Sequence, residues 1–99
     1  MTMDADLQFL GLLNRGGRIR FGEDVLHSHR PALLLIAADA SENSKKKYLD
    51  YATSRGIRTY MGHTKAELGR ALGYEVISCI LIEDQKAAKA YLAKVNPQR

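Results

Sequence analysis

Two long apolar runs limit what this chain can fold into more than any other feature. Leu33 to Ala38 reads LLLIAA, and Val76 to Ile82 reads VISCILI, broken only by Ser78. A strand with one wet face alternates apolar and polar residues, so runs without alternation mark strands covered on both faces. The first run leads straight into Asp39, Ser41 and Asn43, whose side-chain oxygens cap helices. Lys45, Lys46 and Lys47 follow in the first turns of the expected helix. Cations are mildly unfavourable there, because the helix N-terminus already carries partial positive charge. The triplet therefore predicts a surface that meets an anion, with a solvated face as the plain alternative.

Around these runs the pattern switches between helical and strand periods. Residues 5–14 carry Leu7, Leu10 and Leu13 near the helical repeat, with Asp4 or Asp6 as cap and Gly16-Gly17 as stop. Arg18 to Phe21 alternates charged and apolar residues, as a short half-exposed strand does. Gly22 opens a second helix with Glu23 and Asp24 at its positive end. Pro31 stops that helix by forcing Arg30 out of the helical region. A third helix over 43–55 ends at Gly56, and residues 57–61 read as a strand. Thr64 and Glu67 form a capping box for a fourth helix that ends at Gly73. The second long run predicts a strand over 75–82. Asp84 caps a last helix reaching Val95, Asn96-Pro97 ends the fold, and the residues beyond Val95 are expected to fray.

The order is thus α-β-α-β-α-β-α-β-α. It predicts an α/β fold, a three-layer α/β/α sandwich around a four-stranded mixed sheet, with 33–38 and 76–82 most buried. Ninety-nine residues supply one domain, 1–99, and leave no room for two. With no Trp, the core falls to Leu, Ile, Val and Ala. The net charge of +4 points to an acidic partner, of which nucleic acid is the commonest. A single cysteine builds neither an internal disulfide nor a zinc site alone, which fits a reducing, cytoplasmic setting. The N-terminal MTMDADLQFL lacks the parts of a secretory signal. No apolar run approaches the ~18 residues of a membrane span, so no membrane partner is expected.

Catalytic groupings are absent from the pattern. Cys79 lies within the second apolar run, where a cysteine behaves as a small hydrophobe. His27 and His29 are two apart on a helix and point in different directions, so they cannot chelate one ion together. His63 precedes a capping box and suits a local polar role. No metal or cofactor is expected from these residues. GGRIRFG has neither the dinucleotide-binding nor the P-loop spacing of glycines. Asp39 ends a buried strand, a place where α/β folds often keep functional groups, although a capping aspartate also sits there. With no nucleophile, base and orienting group in recognisable spacing, an enzyme is not expected.

The strongest constellation joins the Gly-Gly loop, the short basic strand and the Gly22 helix start. Arg15, Arg18 and Arg20 flank a helix end able to receive phosphate oxygens. Glu23 and Asp24 would repel phosphate but can accept hydrogen bonds from base amino groups. Arginines at a rim with carboxylates at its centre suit an RNA whose base edges are exposed by irregular structure.

In order, GGRIRFGED, LLLIAADASENSKKK, ELGRALGYEV and ILIEDQ resemble the kink-turn-binding ribosomal protein family of the L7Ae/L30e group, nearest its short bacterial YlxQ-like branch. The resemblance runs from about Leu7 to Leu92. It implies a three-layer α/β/α sandwich that binds kink-turns, sharply bent RNA helices with tandem sheared G·A pairs. Such proteins read the G·A pairs from a segment like G-x-N-E-x-x-K. The matching residues here are Gly22, Glu23, Asp24, Val25, Leu26, His27 and Ser28. Gly22 fits, Asp24 replaces Asn or Lys, Val25 replaces Glu or Gln, and Ser28 replaces Lys. A second contact, an apolar loop often reading L-E-V, is matched by Tyr74, Glu75 and Val76. In the family this loop packs against the flipped-out nucleotide, and Tyr74 is suited to stacking on a base.

The expectation is a non-catalytic, monomeric protein bound to structured RNA of kink-turn type, with ribosomal RNA and ribosomal proteins as surroundings. Arg15, Arg18, Arg20 and the lysine triplet would supply phosphate contacts. Restoring Glu at position 25 and Lys at position 28 is expected to strengthen kink-turn binding. The competing expectation is a protein-interaction or assembly factor that keeps the fold and has lost the RNA code.

Overall fold

The computed structural model describes residues 4–95. The expected stop at Asn96-Pro97 and the fraying after Val95 lie outside the described residues. The elements are α1 (Ala5–Arg15), β1 (Ile19–Phe21), a 3₁₀ turn (Gly22–His27), β2 (Leu33–Ile36), α2 (Glu42–Arg55), β3 (Arg58–Tyr60), α3 (Lys65–Leu72), β4 (Cys79–Ile82) and α4 (Gln85–Val95).

The sheet order is β1-β4-β2-β3. Strands β1 and β2 both run antiparallel to β4, and β3 runs parallel to β2, so the sheet is mixed. The two apolar runs supply the central pair, β2 and β4, in which every residue is buried. Successive strand side chains point to opposite faces, and the two faces meet different helices. Leu33, Leu35, Ile80 and Ile82 pack with Leu7, Leu10 and Leu13 of α1, Leu68 of α3, and Ala87, Ala88 and Tyr91 of α4. Leu34, Ile36, Cys79 and Leu81 pack on the other face with Val25 of the 3₁₀ turn and Tyr48 and Ala52 of α2. The result is the three-layer sandwich, with three helices on one face and α2 plus the turn on the other.

The helix ends follow their sequence signals. Ser41 Oγ accepts from Ser44 N–H at the start of α2, and Gly56 closes that helix at φ 67°. The capping box is complete: Thr64 Oγ1 accepts from Glu67 N–H, and Glu67 Oε1 accepts from Thr64 N–H. Asp84 Oδ2 accepts from Ala87 N–H in the first turn of α4. Asp4 precedes α1 but makes no side-chain cap. Asp6 is instead buried, its Oδ2 lying 2.8 Å from Nε2 of His63.

Apart from strands that stop one or two residues short, as β2 does at Ile36 rather than Ala38, two segments differ from the sequence expectation. The second helix is only a six-residue 3₁₀ turn, ending at His27 rather than running to Pro31. Ser28 is already extended there, and its Oγ donates to Glu83 Oε2 at 2.6 Å. The run before Cys79 is not strand. Ile77 N–H bonds to Lys65 O in α3 and Ser78 O receives Ala37 N–H, so these groups find partners outside a ladder between strands. Residues 74–76 therefore form a loop at the mouth of the sheet.

Candidate nucleic-acid interface

At the end of β1, Gly22 turns the chain with φ 65°, a left-handed conformation that costs an L side chain about 1–2 kcal/mol. The turn throws Glu23 and Asp24 outward, both exposed, and drives Val25 inward to full burial. Facing it is the loop after α3. Gly73, at φ 88°, ends that helix, and Tyr74 N–H donates back to Gly69 O at 2.7 Å. The loop then lies directly on the helix at Gly69, where a Cβ would come within 2.8 Å of the Tyr74 and Glu75 carbonyl oxygens.

This anchoring leaves Tyr74 and Val76 exposed at 54% and 55%, the kind of apolar side chains a free surface normally covers. The Tyr74 ring rests against Phe21, centroids 5.0 Å apart and tilted by 54°. Helix α2 forms the third wall. Together Phe21, Gly22, Glu23, Lys47, Tyr74 and Val76 line an open cleft of about 350 Å³. Lys47 spans it and forms an ion pair with Glu23.

The structure thus brings together Gly22, Glu23, Tyr74 and Val76 of the expected site, while Asp24 and Glu75 follow them in the chain without lining the cleft. It does not bring the arginines there. Arg20 pairs with Leu81 in the sheet register, and its Nε donates to Glu83 Oε2 at 2.6 Å, beyond the opposite end of β4. Arg18 lies 3.6 Å from Asp84 at that same end. Arg15 lines a separate groove between α1 and α3 with Gln8, Gly11, Leu12 and Ala71. Their expected grouping around the Gly22 turn is corrected by the pairing: β1 starts at the Glu83 end of β4 and runs away from it toward Gly22, and Arg18 and Arg20 are held by the carboxylates at that starting end.

Val25 and Ser28 also leave the surface. Val25 is 0% exposed in the core under α2, and Ser28 is 2% exposed with its hydroxyl committed to Glu83. Restoring Glu and Lys at these positions would bury charge rather than extend a recognition surface, which corrects the expected gain. Burial raises the Glu83 carboxyl, but the hydrogen bonds from Ser28 and Arg20 and the charges of Arg20 and Arg30 outweigh it and hold the group below its ordinary range.

The remaining candidates have structural roles. Asp39 Oδ1 accepts from Lys65 N–H at 2.8 Å, so it caps α3 across the fold rather than opening its own helix. The Cys79 thiol is pushed up to about 11, chiefly by burial, which leaves it un-ionised at neutral pH. Among the described residues no group of three His, Cys, Asp or Glu side chains is placed to hold a metal ion. Phe21 and Gly69 were missed. The alternation in RIRF places Phe21 on an apolar face, and a glycine inside an otherwise regular helix signals a close approach. The lysine triplet is divided by helical rotation: Lys46 lies near Asp50 on α2's own surface, and Lys47 reaches the cleft.

Residues 24–92 match the model of the ribosomal protein L7Ae/L30e/S12e/Gadd45 family. The chain belongs to this family. Within it, the chain is 31% identical over 91 residues to the RNA-binding protein YlxQ of Bacillus subtilis (strain 168), covering 88% of this chain and 91% of that protein. A solved structure of a protein with unknown function from Bacillus halodurans superposes with a TM-score of 0.82 at 26% identity, over 93% of this chain and 97% of that one. The matched region contains α2 and the whole Tyr74–Val76 loop but begins just after Phe21, Gly22 and Glu23, the residues that the turn contributes to the cleft.

Proposed function

We propose that this family member is a non-catalytic RNA-binding protein that recognises a kink-turn or a similarly bent RNA, with ribosomal RNA as its target and ribosomal proteins as its neighbours. The observation that carries the reading is the exposed Tyr74 and Val76 on an anchored loop, opposite the exposed carboxylates of Glu23 and Asp24. An extruded base stacked on Tyr74 would bury apolar surface, a contact worth about 1–3 kcal/mol in single-strand binders. The carboxylates are placed to accept from the amino edges of adjacent bases. A regular duplex offers neither an extruded base nor open base edges, so the cleft favours a kinked one. The relative named as an RNA-binding protein supports the same reading.

In this reading the protein acts as a monomer in the cytoplasm, where its one buried thiol stays reduced. Among the described residues no helix is long and apolar enough to cross a membrane. The test is a titration with a short kink-turn RNA and with the same duplex carrying Watson–Crick pairs in place of the G·A pairs, each at two salt concentrations. Submicromolar, salt-sensitive binding that prefers the kink-turn is expected. Equal weak binding to both would refute the reading and favour an assembly factor that uses the apolar loop against a protein.

A further inference from the structure

We propose that Glu23 and Lys47 form an exchangeable pair that does the work of positions 25 and 28: RNA phosphate takes Lys47 from Glu23, and the freed carboxylate reads a base edge. The inference rests on the RNA-binding reading and names the residues that give it specificity.

The resembled family motif draws a base-reading group and a cation from one segment, three residues apart. Here that segment is too short and too deeply packed to do so, with Val25 and Ser28 both buried. The same two chemistries reappear at the cleft from two elements. Glu23 comes from the turn and Lys47 from α2, their side chains 73% and 42% exposed. The Lys47 ammonium also lies 5.4 Å from the Tyr48 ring centroid, so the cleft wall holds it near the opening when its partner changes.

The exchange follows from solvation. An ion pair this exposed is worth little, because water screens it on most sides. A backbone phosphate carries the same single charge as the carboxylate, but it belongs to a polyanion whose condensed counterions are released when a lysine binds, and that release favours the exchange. Once Lys47 turns to phosphate, Glu23 is left facing a polyanion and is repelled unless it accepts a base N–H. A regular duplex supplies the phosphate but leaves the carboxylate unsatisfied. A kinked RNA that places a phosphate by Lys47 and an amino edge by Glu23 satisfies both. The pair thus penalises the wrong RNA as well as gripping the right one.

Four proteins test this against the kink-turn RNA and its Watson–Crick control, with thermal unfolding measured in parallel: the wild type, Lys47→Gln, Glu23→Ala, and the exchange Glu23→Lys with Lys47→Glu. Lys47→Gln is expected to lose about tenfold in kink-turn affinity and to reduce the salt slope by about 0.7–0.9, one phosphate's share. Glu23→Ala is expected to bind the control more tightly and to lose about tenfold of its preference. The exchanged protein keeps an ion pair and the wild-type melting temperature, yet loses kink-turn binding. If it binds like the wild type, the pair is a structural bridge and the inference fails. An unchanged salt slope in Lys47→Gln overturns the inference while leaving RNA binding intact. A wild type that does not prefer the kink-turn overturns the functional reading, and the inference with it.

Discussion

Gly69→Ala puts the anchoring of the recognition loop to a quantitative test, because two effects of opposite sign meet at this position. In an open helix the change stabilises, since glycine costs about 1 kcal/mol relative to alanine. Gly69 is not open. Its added Cβ would sit 2.8 Å from the carbonyl carbon and oxygen of Glu75 and from the carbonyl oxygen of Tyr74, all backbone atoms that cannot rotate away. An ordinary contact begins near 3.4 Å, so the loop must retreat by about 0.6 Å. It is held at both ends, by Tyr74 N–H to Gly69 O at 2.7 Å and Ile77 N–H to Lys65 O at 3.1 Å. Overpacking of this kind costs about 1–3 kcal/mol. Set against the helix gain, the clash leaves a net loss of about 0–2 kcal/mol. In a domain of this length the upper end of that loss lowers the melting temperature by about 8–16 °C. Thermal and urea unfolding measure the loss, and titration with kink-turn RNA measures the displaced loop as weaker binding. A variant at least as stable as the wild type, with unaltered RNA affinity, would show that the loop does not rest on Gly69.

Three further perturbations probe the cores and the polar cluster beside the site. Val25→Glu removes about 1.5–3 kcal/mol of apolar burial and adds an unpaired buried charge costing several more. That approaches the whole stability of a small domain, so circular dichroism should show an unfolded chain, and a native melt would contradict the buried position. Arg20→Ala strands Glu83 and is expected to lower stability by about 1–2 kcal/mol in urea, discounted for partial exposure; the RNA salt slope should stay unchanged, and a flatter slope would place Arg20 on the RNA. Glu83 titrates below its ordinary value of 4.5; a lowered carboxylate stabilises the fold above that value and loses its contribution as pH falls through the folded value. Glu83→Gln should therefore melt lower than the wild type at neutral pH and lose less stability between about pH 5 and pH 3. Equal acid sensitivity in both proteins would remove Glu83 from that window.

The elements whose signals are local were legible in the sequence. A capping box is a contact between residues three apart, and Thr64 with Glu67 forms one. Gly56 and Gly73 stop their helices at positive φ because glycine alone tolerates that conformation cheaply. The apolar runs gave the two central strands for the same kind of reason, since burial on both faces leaves no polar alternation. Each run was read too long. Apolar character reports burial and not hydrogen bonding, and Val76 and Ile77 are apolar for different reasons. Ile77 packs in the core against α1, α3 and α4, while Val76 faces the cleft.

The site was legible only where its residues act through their own position in the chain. The loop at 74–76 could be placed because a glycine stop precedes it and a buried strand follows. Positions 25 and 28 could not, because distant partners decide their orientation: Val25 is buried against α2 and the central strands, and the Ser28 hydroxyl donates to Glu83, 55 residues away. That one half-buried carboxylate holds Ser28 just past the turn and ties the partly exposed Arg20 to the Glu83 end of the sheet. Position along a motif therefore does not locate the lysine at the cleft, whereas the fold does. Of the lysines in the triplet, only Lys47 lines the cleft, and it faces Glu23. A family code written as spacing along one helix is preserved only if that helix is. Where the helix shortens to a 3₁₀ turn, the side chains beside Glu23 come from a neighbouring element, and α2 is the one that borders the cleft.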